Sequence, residues 1–251
     1  LEDLYRGFMM KMTGVGGRQS NVTRSRNGRF RRERVLYFGS SPMFGLAWSP
    51  DGKHLVLNDR EGNRGYDGYE MIDVDSGKTL QRFVYGFGVQ LDKGLKFSPD
   101  GRYLASNLAV WDVNASEPVL RYEPVKQSSA VAFTPDSRHL ICCFVYVYPG
   151  KSRIVIYDTA TWQPIRQIEL PQPSTIENLA VHPAGSYVAT SETTPGSLHP
   201  GTGSSVNIWK LFESDKPLQE IRLPFDLQTS DIAFSPDGSK LTFGWKPARV
   251  Y

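Results

Sequence analysis

The tetrapeptide Ser-Pro-Asp-Gly stands at residues 49–52, at 98–101 and again at 235–238. Two near copies lie between the second and the third: Thr134-Pro135-Asp136-Ser137 and His182-Pro183-Ala184-Gly185. Proline presets φ, glycine accepts positive φ, and an Asp side chain can bond the turn backbone, so each copy predicts a tight turn. A short apolar segment precedes every copy: GLAW (45–48), GLKF (94–97), AVAF (130–133), NLAV (178–181) and DIAF (231–234). A second follows: HLVLN, YLASN, HLICC, YVATS and KLTFG. Each unit therefore begins as strand, turn, strand, with period-2 alternation pointing one face inward.

Two further strands follow each hairpin, as in YEMIDVDSGKTLQRF (69–83), LAVWDVNASEPVLRY (108–122), RIVIYDTATWQPIRQIEL (153–170) and SVNIWKLFESDKPLQEIRL (205–223). The prolines of successive turns are 49, 36, 48 and 53 residues apart. Four antiparallel strands repeating every 40–50 residues predict an all-β fold, a β-propeller of four-stranded blades. SPDG after a strand ending in Trp or Phe, together with IVIYDTATWQPIRQIEL, resembles bacterial WD-repeat and YVTN-type propellers over residues 35–251. The literal Trp-Asp pair occurs once among the blades, at Trp111-Asp112, and no Gly-His precedes a first strand. The resemblance implies a divergent propeller.

Five hairpins are visible. Either five blades close a ring, with the segment 32–38 completing the last, or the five belong to a larger, seven-bladed ring. The end at Tyr251, inside a strand pattern, favours the larger ring.

The 39% apolar and 12% aromatic content, with 23 Gly and 17 Pro, suits short strands joined by turns. No apolar run approaches the ~18 residues of a spanning helix. The expected location is cytoplasmic, with the periplasm or secretion as alternatives. The net charge of +3 is uneven. Residues 1–34 hold nine basic and three acidic residues, a net +6, leaving −3 for the other 217. The chain thus divides into a basic, Gly/Arg-rich arm, 1–34, and a propeller, 35–251. The arm's Arg18, Arg24, Arg26, Arg29, Arg31, Arg32 and Arg34 have little around them to bury, so it is expected to order on an acidic surface. Adjacent Cys142 and Cys143 should point to opposite faces of a strand, one into the core and one outward.

The resemblance implies that the Ser-Pro-Asp-Gly turns share one face and that the links between second and third strands lie on the other. Those links are long and uneven: DREGNRGYDGYE (59–70), VYVYPGKSR (145–153) and ETTPGSLHPGTGSS (192–205). Variable loops on a rigid scaffold are where binding concentrates. Tyr and Arg are favoured at interfaces. The candidate partner-binding rim is therefore Arg60, Arg64, Tyr66, Asp67, Tyr69, Tyr146, Tyr148, Lys151, Arg153 and His199.

Catalytic signatures are absent: there is no HExxH, no CxxCH and no GxSxG in the chain. His54 and His139 follow turns at equivalent positions and read as structural. No catalytic residue, metal ligand or cofactor is assigned. The expected function is a non-catalytic scaffold or accessory subunit that contacts protein partners in a larger assembly. The alternative is a propeller enzyme or redox domain with its centre at the central channel. A third reading is nucleic-acid association through the arm, which lacks the aromatic interleaving of base-stacking platforms.

Overall fold

The computed structural model describes residues 23–26, 29–32, 45–60, 67–86, 94–122, 128–145, 151–170, 174–193, 204–223, 231–244 and 249–250. Every regular element among them is a strand. A basic hairpin comes first, β1 (Thr23–Arg26) and β2 (Arg29–Arg32). Blade 1 is β3 (Leu46–Trp48), β4 (His54–Arg60), β5 (Asp67–Asp73) and β6 (Thr79–Gly86). Blade 2 is β7 (Lys96–Phe97), β8 (Tyr103–Ala105), β9 (Ala109–Asp112) and β10 (Pro118–Arg121). Blade 3 is β11 (Ser128–Phe133), β12 (His139–Phe144), β13 (Arg153–Asp158) and β14 (Pro164–Glu169). Blade 4 is β15 (Thr175–Val181), β16 (Tyr187–Thr193), β17 (Ser204–Lys210) and β18 (Gln219–Arg222). Blade 5 shows β19 (Asp231–Phe234), β20 (Leu241–Gly244) and β21 (Arg249–Val250).

Within each sheet the strands pair antiparallel in chain order. First strands stack in series: β3 meets β7, β7 meets β11, β11 meets β15, and β15 meets β19. This is a β-propeller arrangement of radiating four-stranded blades.

The turns are built as their composition requires. In the first, Gly52 N–H donates to the Ser49 carbonyl at 2.9 Å, closing the turn with Gly52 at φ +70°. Ser49 Oγ donates to Asp51 Oδ1 at 2.6 Å and accepts from His54 N–H at 2.8 Å. The same bonds recur around Thr134, whose hydroxyl donates to Asp136 Oδ1 at 2.6 Å and accepts from His139 N–H at 3.0 Å. In the near copy His182-Pro183-Ala184-Gly185, imidazole replaces hydroxyl. His182 Nδ1 accepts from Ala184 N–H at 3.0 Å, which puts the ring proton on Nε2, 3.1 Å from the Gly238 carbonyl oxygen. Ser137, in the glycine position of its turn, adopts φ +61°. Its hydroxyl accepts from Asp100 N–H in blade 2 at 3.0 Å, a bond a glycine could not offer. Successive turns thus touch.

The core is a series of seams between blades. The first gathers Val56, Tyr69, Met71 and Phe83 of blade 1 against Leu104 and Trp111 of blade 2. The second sets Tyr103, Val110 and Tyr122 against Leu140, Cys142 and Val155. The third sets Cys143, Ile154 and Ile156 against Ile176, Val188 and Trp209. The fourth sets Ala189 and Val206 against Ile232, Leu241 and Phe243. An interior blade is therefore covered on both faces. This corrects the expectation of one outward cysteine: Cys142 and Cys143 do point to opposite faces, and both are 0% exposed.

Candidate interaction surfaces

Two kinds of surface border the arc, the rim of links between second and third strands and the rim of tight turns. On the first, the structure reassigns several expected residues. Tyr69 is a core residue, 1% exposed, with its ring edge-on to Trp111 at a centroid distance of 5.7 Å. It sits on β5 in the alternation of Tyr69, Met71 and Asp73, and the side of blade 1 that carries it is closed by blade 2. Arg60 and Asp67 are paired strand positions at the ends of β4 and β5, so the link between them is shorter than 59–70. Arg153 opens β13, with Nη1 donating to Gln167 Oε1 at 3.2 Å and its guanidinium 5.4 Å from the Phe144 ring. It is half-built into blade 3. Lys151 is exposed. Arg64, Tyr66, Tyr146, Tyr148 and His199 lie outside the described residues, as do Arg18 and Arg34.

The arm contributes one described element. Residues 23–32 carry a hairpin in which Thr23 pairs with Arg32, Arg24 with Arg31, Ser25 with Phe30 and Arg26 with Arg29. The two residues between these strands are Asn27 and Gly28, the dipeptide favoured in two-residue hairpins.

Buried polar residues form a feature the strand alternation concealed. Glu192 stands in β16 two positions beyond Thr190, where period 2 calls for an apolar side chain. It is buried, accepting from Thr190 Oγ1 at 2.7 Å and Ser174 Oγ at 3.4 Å. Trp209 Nε1 donates to the same Thr190 hydroxyl at 2.8 Å. Burial raises the Glu192 carboxyl above the usual range, while the Asn207 amide and the two hydroxyls oppose the shift. Glu70 is a second buried carboxylate, bonded by Thr79 Oγ1 and 3.5 Å from Arg82. A Glu at an inward position was the available signal for both. Asn107, 1% exposed, finds no hydrogen-bond partner for its amide among the described residues. No group of three or more His, Cys, Asp or Glu among the described residues is placed to hold a metal. No helix among them is long and apolar enough to cross a membrane.

The turn carboxylates are held by their own turns. Asp51 is held low chiefly by the Ser49 hydroxyl, Asp136 chiefly by Thr134, and Asp237 falls to about 2 chiefly through Ser235. His139 packs at 5.0 Å on Phe212, and His182 at 5.0 Å on Phe234. Both rings thus pack against an aromatic side chain of the next blade.

The face of blade 1 turned away from blade 2 carries a further feature. Register puts Leu46 opposite Leu57 and Trp48 opposite Leu55, which in turn faces Ile72. Leu46 and Trp48 are 47% and 48% exposed. The residues matching Trp48 in the other blades, Phe97, Phe133, Val181 and Phe234, all pack into seams with the preceding blade.

No protein-family model and no curated protein matches the chain. Solved structures do. Hydrazine synthase of Kuenenia stuttgartiensis superposes with a TM-score of 0.67 at 20% identity, over 92% of this chain and 70% of that one. A chain of a mitotic checkpoint complex superposes at 0.52 and 17% identity, over 93% of this chain and 84% of that one. At such identities the likeness concerns the fold, and the chain is a β-propeller protein.

Proposed function

We propose that this propeller is an interaction scaffold or accessory subunit that binds other proteins in a larger assembly. What supports the reading is the propeller fold itself, rigid blades joined by links of uneven length, the kind of surface where binding concentrates; the half-exposed Leu46 and Trp48 on the first strand of blade 1 are its candidate anchor. Aromatic side chains of this size are the anchors of protein interfaces, and their burial is strongly favourable. The links on the rim opposite the turns, with Lys151, Arg64, Tyr66, Tyr146, Tyr148 and His199, would add contacts around that anchor. The arginine-bearing hairpin would reach an acidic patch of a neighbour.

The test is a mild affinity purification of the full-length protein, with mass spectrometry of what accompanies it, run in parallel on Trp48→Ser. A stoichiometric partner set that is lost or thinned in the variant is the expected result. A protein recovered alone and monomeric would overturn the reading.

A further inference from the structure

Two seams are stoppered at their turn-side end by an aromatic ring. Trp162, from the β13–β14 turn of blade 3, stands edge-on to Tyr103 of blade 2 at 4.8 Å. Phe212, from the β17–β18 turn of blade 4, lies 5.0 Å from His139 of blade 3. Tyr103 and His139 occupy the same place in their blades, the first residue of the second strand. The matching residue of blade 1 is His54. The β9–β10 turn that should stopper it reads Val113-Asn114-Ala115-Ser116 and contains no aromatic residue.

The first seam gapes there instead. A cleft of about 590 Å³ opens beside His54, floored by Met71, Leu80, Phe97 and Val113 and bordered by Asp51 and Asp100. This volume is within the range of pockets that hold small ligands and side chains. Leu80 is 49% exposed at the cleft, a large apolar surface for a solvated wall. The charges in the lining are one-sided, with two carboxylates and no Lys or Arg. Each carboxylate spends one oxygen within its own turn: Oδ1 of Asp51 on Ser49 and Lys53, and Oδ1 of Asp100 on Ser98 and Arg102. Among the described residues no hydrogen bond reaches either Oδ2.

We propose that this cleft docks an extended segment of a partner protein in which one aromatic side chain is flanked by Lys or Arg. The aromatic ring would take the place against His54 that Trp162 and Phe212 take in the neighbouring seams. The flanking cations would meet the outer oxygens of Asp51 and Asp100, where charge-assisted bonds are strongest. The site lies on the turn rim; as a place for a partner protein it rests on the scaffold reading above, and the peptide test below can fail while the affinity purification succeeds.

Fluorescence anisotropy of a labelled Gly-Arg-Trp-Arg-Gly peptide on the full chain tests it, against a peptide with Ala in place of Trp. The Trp peptide should bind about tenfold more tightly, the scale of one well-packed anchor. Asn114→Trp supplies the missing stopper and should abolish binding while the unfolding midpoint holds or rises. Leu80→Ser, at a half-exposed position, should also weaken binding about tenfold without loss of fold. Equal affinity for the two peptides would reduce the effect to bulk charge and overturn the proposal. So would wild-type affinity in both folded variants.

Discussion

Gly238 and Gly52 share a backbone conformation but not a neighbourhood. Both turn at positive φ, +72° and +70°. A Cβ on Gly52 would meet nothing within 4 Å, whereas one on Gly238 would stand 2.2 Å from His182 Nε2. Gly52→Ala should therefore cost about 1 kcal/mol, the left-handed penalty alone. Gly238→Ala should cost about 2–4 kcal/mol, because it also drives the His182 ring off the Gly238 carbonyl. Urea unfolding of the two variants checks the order, and equal losses would refute it. Asp237 gives a second residue-scale expectation. Its carboxyl sits at about 2 in the fold, against ~3.9 in an unfolded chain. A depressed carboxylate adds stability that is fully present above the unfolded value and is lost as pH falls through the folded one. Asp237→Asn should thus flatten the stability–pH curve between about pH 4 and pH 2 and leave its shape at neutral pH unchanged. Carboxyl NMR titration would locate the wild-type midpoint directly. The Ser-Pro-Asp-Gly strings made all of this chemistry legible in one dimension. What they could not show is that His182 and Gly238, 56 positions apart, meet.

At the scale of the strand, alternation was the reliable guide, and its breaches mark what was missed. Strand order, pairing and turns could be read from apolar residues at every second position. That rule assigns faces, but it cannot say whether a face is covered. Tyr69 reads as a loop aromatic in DREGNRGYDGYE and proves to be core, because the link it was placed in is shorter than its polar composition suggested. One of the two cysteines was expected outward because half-buried sheets have an outward side, and an interior blade has none. Glu192 is the opposite case, a charged residue on a covered face of β16. Its carboxyl is raised, so the folded state pays a penalty that is absent below the unfolded Glu value of ~4.3 and grows as pH rises through the folded one. Glu192→Gln removes that dependence. The stability difference between variant and wild type should move in the variant's favour as pH rises above about 4. A difference that stays flat across this range, followed by thermal unfolding, would mean that the carboxylate is solvated.

Over the whole molecule the blades are held by seams, so cohesion is between neighbours in chain order. Stability of such an array is roughly the sum of unit and interface terms. Arg166 of blade 3 reaches Asp215 of blade 4 at 2.6 Å, yet an exposed pair of this kind adds under about 1 kcal/mol. Arg166→Ala should shift the unfolding midpoint little, while Trp209→Ala, which empties the third seam, should cost about 3–5 kcal/mol. Comparable losses in the two would show that charge, not packing, joins the blades. The adjacent thiols then acquire an unintended use. The Cys142 thiol donates a hydrogen bond to the Tyr122 hydroxyl across one seam at 3.3 Å, while Cys143 is packed into the next. Burial pushes the first up to about 12 and the second well above its usual value, so neither reacts while the blades are closed. Two neighbouring atoms in the chain therefore time two different doors. Alkylation of Cys142 clocks the parting of blades 2 and 3, alkylation of Cys143 that of blades 3 and 4, and their ratio in a single peptide reveals which opens first.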